Sequence, residues 1–463
     1  MTPQGRVITD MSNPERMGKG SIPVLLLHFS LPAIAGLVAN ALYNIVDRIF
    51  VGHYVGPEGI GALSVAFPFM VAISAVTALV GTGGASLLSR LLGENRRRRA
   101  ERGLANALLL LLAGSGLLCL GGTLFPEQIL RLSGSTESLL PLAMEYFSVI
   151  LWGVPFWVTS MGMNHLIRSE GAPRYAMITL FIGAGGNIFL DWIFIVQMNL
   201  GIRGAALGTV LAQGLAFIWV FLFYLGPWKV SVFRLYLRNL LPRWIFVRQI
   251  LSVGLSPFLL ELTFTLLMGI FNTLLGKYGG DLAIASMGIF FSLDALLYLP
   301  PIGIGEGLLP IIGYNFGARN YARVRRAVTL ALGGCVALFT CNFLAVMFFA
   351  PQMAAIFNNS SPELITLAAR SLRIGYAAAP GAAVGIITTF TLQALGKAKL
   401  SIMISLSRQF FFIIPAALFL PRFFGVDGVW MSFPLADFVQ VIFSGGFLFR
   451  EMRRLGRDFP GEA

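Results

Sequence analysis

Long apolar runs separated by short polar turns fill this chain, and their lengths set its architecture before any single residue is weighed. The runs cover about 24–50, 60–82, 104–125, 141–166, 174–196, 205–226, 250–275, 283–312, 327–350, 364–392, 400–421 and 428–449. At 1.5 Å per residue, each is long enough to cross a hydrocarbon layer of about 30 Å. Lipid offers no partner to backbone N–H and C=O groups, so these stretches must be helices or the strands of a closed barrel. Barrel strands run to only about 10 residues. The pattern predicts an all-α integral membrane protein with twelve transmembrane helices, here numbered spans 1 to 12.

The pattern also repeats at a spacing of 224 residues. That shift lays Gly81, Gly83, Gly93, Arg99 and Arg102 on Gly305, Gly307, Gly317, Arg323 and Arg326. It also carries Gly52-His53-Tyr54-Val55-Gly56 onto Gly276-Lys277-Tyr278-Gly279-Gly280, and Gly201-Ile202-Arg203-Gly204 onto Gly425-Val426-Asp427-Gly428. A duplication of this kind predicts two pseudo-symmetric six-helix lobes, 21–226 and 250–450. A linker over 227–249 joins them, and tails over 1–20 and 451–463 flank them. Two like lobes enclose a cleft, and rocking one on the other exposes it to either face of a bilayer, the plan of a secondary transporter.

Composition and charge refine this picture. Hydrophobic residues make up 56% of the chain and charged residues 12%, against roughly 25% charged in soluble domains. The net charge of +13 does not call for nucleic acid, because the Arg96-Arg97-Arg98-Arg99 run sits in a short loop between spans. Lys and Arg number 26 in the two tails and the even-numbered loops, against five (Arg48, Arg131, Arg203, Lys277 and Arg422) on the odd-numbered side. The positive-inside rule then places both termini of a multi-pass membrane protein in the cytoplasm. The first 20 residues lack a signal-peptide pattern and are expected to form a mobile tail. Cys119, Cys335 and Cys341 show no metal or disulfide spacing, and His28, His53 and His165 are scattered near span ends in structural roles. No phosphate-binding loop of the Walker type is present, so an ion gradient is the expected energy source. No nucleophile with a nearby base supports an enzyme. Trp228, Tyr236 and Trp244, set among basic residues of the linker, suit a segment lying on the membrane surface.

Carboxylates inside the spans cost several kcal/mol unless protonated, paired or hydrated, which makes each a functional candidate. In the first lobe these are Asp47 on span 1 and Asp191 on span 5; in the second, Glu261, Asp294 and Asp437, with Glu306 expected to pair with arginines of a basic loop. Counting residues from the cytoplasmic boundary places Asp47 and Asp191 in one outer layer. Asn187 lies one turn before Asp191, Tyr43 and Asn44 one turn before Asp47, and Thr209 on span 6 reaches the same depth. Such a group would bind Na⁺ through hard oxygen ligands of Asp47 and Asp191, or carry H⁺ if repulsion and desolvation keep one acid protonated. Glu261 and Asp294 fall near the midplane, where they and Asp437 would supply counter-charge to a cationic substrate, with Tyr43, Asn44 and Met161 as further candidate substrate-binding residues. Met161, Met163, Phe156, Phe290 and Tyr298 would add adaptable and aromatic cavity surface.

Four segments carry a resemblance: Tyr43-Asn44-Ile45-Val46-Asp47-Arg48-Ile49-Phe50-Val51-Gly52, Arg168-Ser169-Glu170-Gly171-Ala172-Pro173, Asn187-Ile188-Phe189-Leu190-Asp191 and Asn315-Phe316-Gly317-Ala318. In that order, within a duplicated twelve-span chain, they resemble the multidrug and toxic compound extrusion (MATE) family in its bacterial MepA-like branch. The resemblance implies a V-shaped pair of lobes that exports organic, often cationic, compounds in exchange for H⁺ or Na⁺, and it assigns Asp47, Asn187 and Asp191 to a cation site. Asn164 matches a recurring Asn of span 4, though it lies near the cytoplasmic face. The expected protein is a cation-coupled antiporter that works as a monomer in the lipid bilayer of a bacterial cytoplasmic (inner) membrane, with no cofactor beyond the coupling ion. A lipid or glycan-lipid flippase is the alternative; it would favour a more cationic cavity.

Overall fold

A computed structural model describes residues 14–227, 230–235, 237–357 and 361–457. Trp228 and Tyr236, two of the three linker residues expected at the membrane surface, lie outside the described residues, as do 1–13 and 458–463 of the tails. Among the described residues the secondary structure is helical throughout, without a strand.

Nine spans are continuous helices: Ile22–Tyr54, Pro57–Gly93, Arg97–Leu124, Leu140–Ser169, Pro173–Gln197, Gly201–Leu225, Tyr321–Ala355, Ala398–Phe424 and Val426–Arg457. The stretch Trp244–Gly317 holds two more, 244–279 and 281–317, because Gly280 takes φ 65° and breaks the path between them. A Cβ would oppose that backbone, so this one-residue turn falls on a glycine, as does the one at Gly425, φ 58°, between spans 11 and 12. The tenth span is bent by 46° between Pro362–Gly375 and Ala379–Ala394. Pro57, Pro173 and Pro362 sit in the first turn of their helices, where the missing N–H has no intrahelical partner to lose. Asn320 and Ser361 cap the helices that follow them by accepting from Arg323 N and Leu364 N.

Several helices outrun their apolar stretches. Span 2 continues to Gly93 and span 12 to Arg457, so Arg90 and Arg454 ride on last turns, where the helix dipole favours positive charge. We call the side carrying these ends and the even-numbered loops the basic face. Arg370 and Arg373 fall in the first half of span 10, toward the opposite face, where Arg370 pairs with Asp427. Those two residues raise the far side's basic count from five to seven and leave the bias clear.

Each lobe has its own hydrophobic core. One gathers residues from Val51 to Ile250, the other residues from Leu267 to Leu455. The start of span 1 crosses the boundary: Ile22, Leu25, Leu26 and Phe29 pack into the second core. The chain before it does the same, which corrects the expectation of a mobile 1–20 tail for its described end. Glu15–Lys19 is a helix whose Met17 is fully buried. Asn315 Nδ2 donates to the Met17 carbonyl at 2.8 Å, and Arg323 donates to the carbonyls of Met17 and Gly20 at 3.1 and 2.6 Å.

The lobes meet on the glycines that the repeat duplicates. Gly83 lies against the backbone of Ile250 and Gly254 on span 7, and its counterpart Gly307 against Phe29 and Ser30 on span 1. Likewise Gly93 meets Tyr314 and Ala318, while Gly317 meets Arg90 and Glu94. Each pair maps onto the other under the 224-residue shift, so the seam has approximate two-fold symmetry. A side chain at any of these four positions would occupy the space of backbone atoms across the boundary.

Candidate functional site

Spans 1, 5 and 6 bring the predicted ion residues of the first lobe together. Asp47, Asn187 and Thr209 are buried and Asp191 is fully so. The carboxyl groups of Asp47 and Asp191 lie against each other. Asn187 Nδ2 donates to Asp191 Oδ1 at 3.4 Å and to Thr209 Oγ1 at 3.2 Å, which ties span 5 to span 6. Tyr43 is buried beside Asp47. Asn44 stands at the edge of the cluster: it is exposed, donates to its own helix at Asn40 O, 2.7 Å away, and lies beside the Tyr43 hydroxyl. Arg48 offers Asp47 no ion pair either, for it is exposed with its guanidinium 5.8 Å over the Phe67 ring.

Gly208 and Tyr146 join the site, and Gln213 is buried one turn along the helix that carries Thr209. Gly208 leaves room for Asp191, whose Oδ1 occupies the place a Cβ would need. Tyr146 on span 4 is buried next to both acids and Tyr43. Gln213 was open to the same i, i+4 argument that selected Asn187; the other two are visible only once helices pack. Beyond Asp191, span 5 widens into a π-helical turn over Trp192–Gln197, a feature common where a functional side chain is re-aimed.

The chemistry of the site follows from its orphaned atoms. Asp47 Oδ1, Asp191 Oδ2, Asn187 Oδ1 and Gln213 Oε1 are all buried without a hydrogen-bond donor. Native interiors rarely leave such atoms unpaired, and here every one is an acceptor. Two neighbouring carboxyl groups among unpartnered acceptor oxygens fit a proton or a hard cation, and offer nothing to an anion. Among the described residues, no three His, Cys, Asp or Glu side chains assemble as a transition-metal set.

The second lobe distributes its acids differently. Glu261 on span 7 faces Ser74 of span 2 across the lobe boundary. Asp294 accepts a hydrogen bond from the Tyr376 hydroxyl at 2.8 Å. Asp437, almost wholly buried, is ion-paired with Arg408 Nε at 2.7 Å, and the same guanidinium donates to the Tyr298 hydroxyl at 3.2 Å. The expected role of Asp437 as counter-charge for a substrate is therefore weakened by a guanidinium already in place. Arg408 stands inside span 11, in a π-helical stretch over Ser407–Ile413, and an intramembrane arginine is as legible in a sequence as an intramembrane acid. Met161 is half-buried on span 4. Met163 and Phe290 are enclosed in the two cores and are removed from the cavity surface expected of them.

Glu306 also differs from expectation. Its partner is Arg168 at the end of span 4, in the other lobe, and not an arginine of the neighbouring loop. Asn164 orients that arginine: it donates to Ala176 O at 2.7 Å and accepts from Arg168 Nη2 at 3.0 Å. It takes no part in the Asp47 and Asp191 cluster.

Comparison with known proteins agrees with this architecture. The MatE family model matches residues 32–193 and again 257–418, two segments that begin 225 residues apart, one in each lobe. The multidrug export protein MepA of Staphylococcus aureus (strain N315) is 27% identical over 421 residues, covering 89% of this chain and 90% of the relative. MepA of Staphylococcus haemolyticus (strain JCSC1435) is 26% identical over 445 residues, covering 95% and 96%. Among solved structures, the outward-facing conformation of a multidrug resistance MATE family transporter of the MOP superfamily superposes with a TM-score of 0.90 at 24% identity, covering 96% of this chain and 98% of that one. A MOP superfamily transporter from Pyrococcus furiosus, described as having a binding pocket of reverse polarity, superposes at 0.89 with 25% identity over the same shares. With the family model laid once on each six-span lobe and covering more than half of the residues, the chain belongs to the MatE family, the multidrug and toxic compound extrusion transporters.

Proposed function

We propose that this protein is a cation-coupled antiporter that exports small organic, lipophilic and cationic compounds from the bacterial cytoplasm. The observation that carries the reading is the Asp47 and Asp191 pair, with buried, unpartnered acceptor oxygens on both acids and on the neighbouring Asn187. The MepA relatives are multidrug export proteins, and the orientation follows from the basic face, taken as cytoplasmic. In this reading H⁺ or Na⁺ enters the first-lobe cluster from outside. The gain in free energy on filling it biases the lobes toward the state that receives substrate from the cytoplasm or inner leaflet. Glu261 and Asp294 lie on spans that border the cleft and supply negative charge to an organic cation, with Asp437 balanced by Arg408. An acidic cleft of this kind, together with the named relatives, disfavours the flippase alternative. The single chain with two complete lobes contains both halves of the rocking unit and is proposed to act as a monomer, without a cofactor and without enzymatic chemistry.

Purified protein in liposomes, loaded with a fluorescent organic cation and given a pH gradient or a Na⁺ gradient separately, tests this directly. One gradient should drive the dye out, and Asp191→Asn should abolish the movement while still inserting. Equal transport with and without both gradients, or full activity of Asp191→Asn, overturns the proposal.

A further inference from the structure

The symmetric glycine seam between the lobes carries an asymmetric charge. On one side of the pseudo-two-fold axis, Arg168 of span 4 and Glu306 of span 8 form an ion pair with side chains 6% and 13% exposed. Asn164 holds the guanidinium from behind, and His165, one turn earlier, packs against Gly81 of span 2. The positions related by the 224-residue shift are Thr82 and Leu392, which form no such pair. On that second side the cross-lobe bond is a neutral one, Ser86 Oγ donating to the Gln393 carbonyl at 2.5 Å, while Arg90 rests against Gly396.

We infer that Arg168 and Glu306 are the lock of the closed basic face: a pair of positioning residues whose separation is the charged step in opening the transporter toward the cytoplasm. The inference rests on the alternating-access reading above. A buried ion pair tolerates two arrangements only, paired and dry or parted and hydrated, because a lone buried charge is strongly unfavourable. Glu306 lies about three turns inside the basic end of span 8, so water reaches it only when the lobes swing apart there. The pair thus makes closure of this face an all-or-none state, while the seam opposite, held by the Ser86 bond and the Arg90 contact, has no cross-lobe ion pair to part among the described residues.

The test follows conformation, not transport. Arg98→Cys and Ala322→Cys place spin labels on exposed positions of the two lobes at the basic face, in full-length protein reconstituted in lipid nanodiscs with Cys119→Ala, Cys335→Ala and Cys341→Ala. Pulsed electron resonance then reads the distance distribution. Arg168→Gln and Glu306→Gln should each raise the ratio of the long-distance, basic-face-open population to the closed one by about tenfold or more. The double variant should shift it no further than the larger single, and Ser86→Ala should stay within about twofold of the parent. If either single substitution folds too poorly to label, Arg168→Lys, which keeps the charge but loses the guanidinium fork, should shift the ratio in the same direction by less. Distributions unchanged in the single variants, or opened equally by Ser86→Ala, overturn the assignment. Transport by the parent is measured separately, so a mistaken substrate or coupling ion does not enter this readout.

Discussion

At the scale of residues, the central question is whether Asp47 and Asp191 act as one unit. Their carboxyl groups are in contact and share no basic partner in the cluster, so a single proton or ion placed between them satisfies both. Substituting either by Asn should remove most gradient-driven transport, and substituting both should add little to the larger single loss, as for groups that work together. Additive losses on a logarithmic scale, with membrane insertion checked alongside, would mean two independent acids. Gly208 supplies a second residue-level prediction. A methyl group there would occupy the position of Asp191 Oδ1, so Gly208→Ala should displace the carboxylate and lower the transport rate by at least about tenfold, with protein yield and thermal stability close to the parent; a transport rate unchanged by Gly208→Ala counts against the site. The acids, Asn187 and Thr209 were legible in sequence because each polar atom in a lipid-facing span is costly and depth can be counted along a helix. Gly208 and Tyr146 were not, since their roles depend on which helix lies opposite. Arg408 was missed for a different reason: attention to acids alone leaves their partners unread.

Elements were legible where hydrophobic length decides them. All twelve spans appear, and what escaped the pattern is what lipid does not dictate: helix extensions beyond the membrane, the π-helical turns in spans 5 and 11, the bend in span 10, and the Glu15–Lys19 helix. The last shows why. Its sequence is polar and short, with one methionine to bury, and it is held chiefly by Asn315 and Arg323 reaching from the second lobe to its carbonyls. Those bonds exist only after spans 8 and 9 are in place. Arg323→Ala removes two charge-assisted hydrogen bonds, each worth on the order of 1–3 kcal/mol. The expected outcome is faster hydrogen exchange at residues 17–22 by about tenfold or more, with the spans unaffected; exchange as slow as in the parent would show that burial of Met17 alone anchors the helix.

The whole molecule is two lobes, a charged seam and a linker, and its orientation sets the direction of every step. The basic face should be cytoplasmic, so Arg98→Cys should be shielded from an impermeant thiol reagent in intact cells while Ser138→Cys reacts; the reverse pattern would invert the topology. The linker that joins the lobes is itself tied down by one buried acid. Glu170, in the turn after span 4 and outside the membrane-spanning segments, accepts from Ser231 Oγ at 2.7 Å and from Val232 N at 3.2 Å, with the Tyr224 hydroxyl beside it and Arg97 donating to the Val232 carbonyl. Burial pushes its carboxyl up to about 8, although these hydrogen bonds pull the other way. A detached, hydrated linker would return Glu170 toward its ordinary value of 4.5. The attached form therefore binds the extra proton between those two values, and the sign follows: attachment is strongest below about pH 4.5, weakens as pH rises, and reaches its floor above about pH 8. The span of that change is on the order of a few kcal/mol. Limited proteolysis of the 230–243 segment should accelerate between pH 6 and pH 9 in the parent, relative to Glu170→Gln at each pH, because glutamine accepts the same bonds and does not ionise. Parallel pH profiles for the two proteins would show that Glu170 stays in one protonation state throughout, and that the linker is held by Arg97 and packing instead.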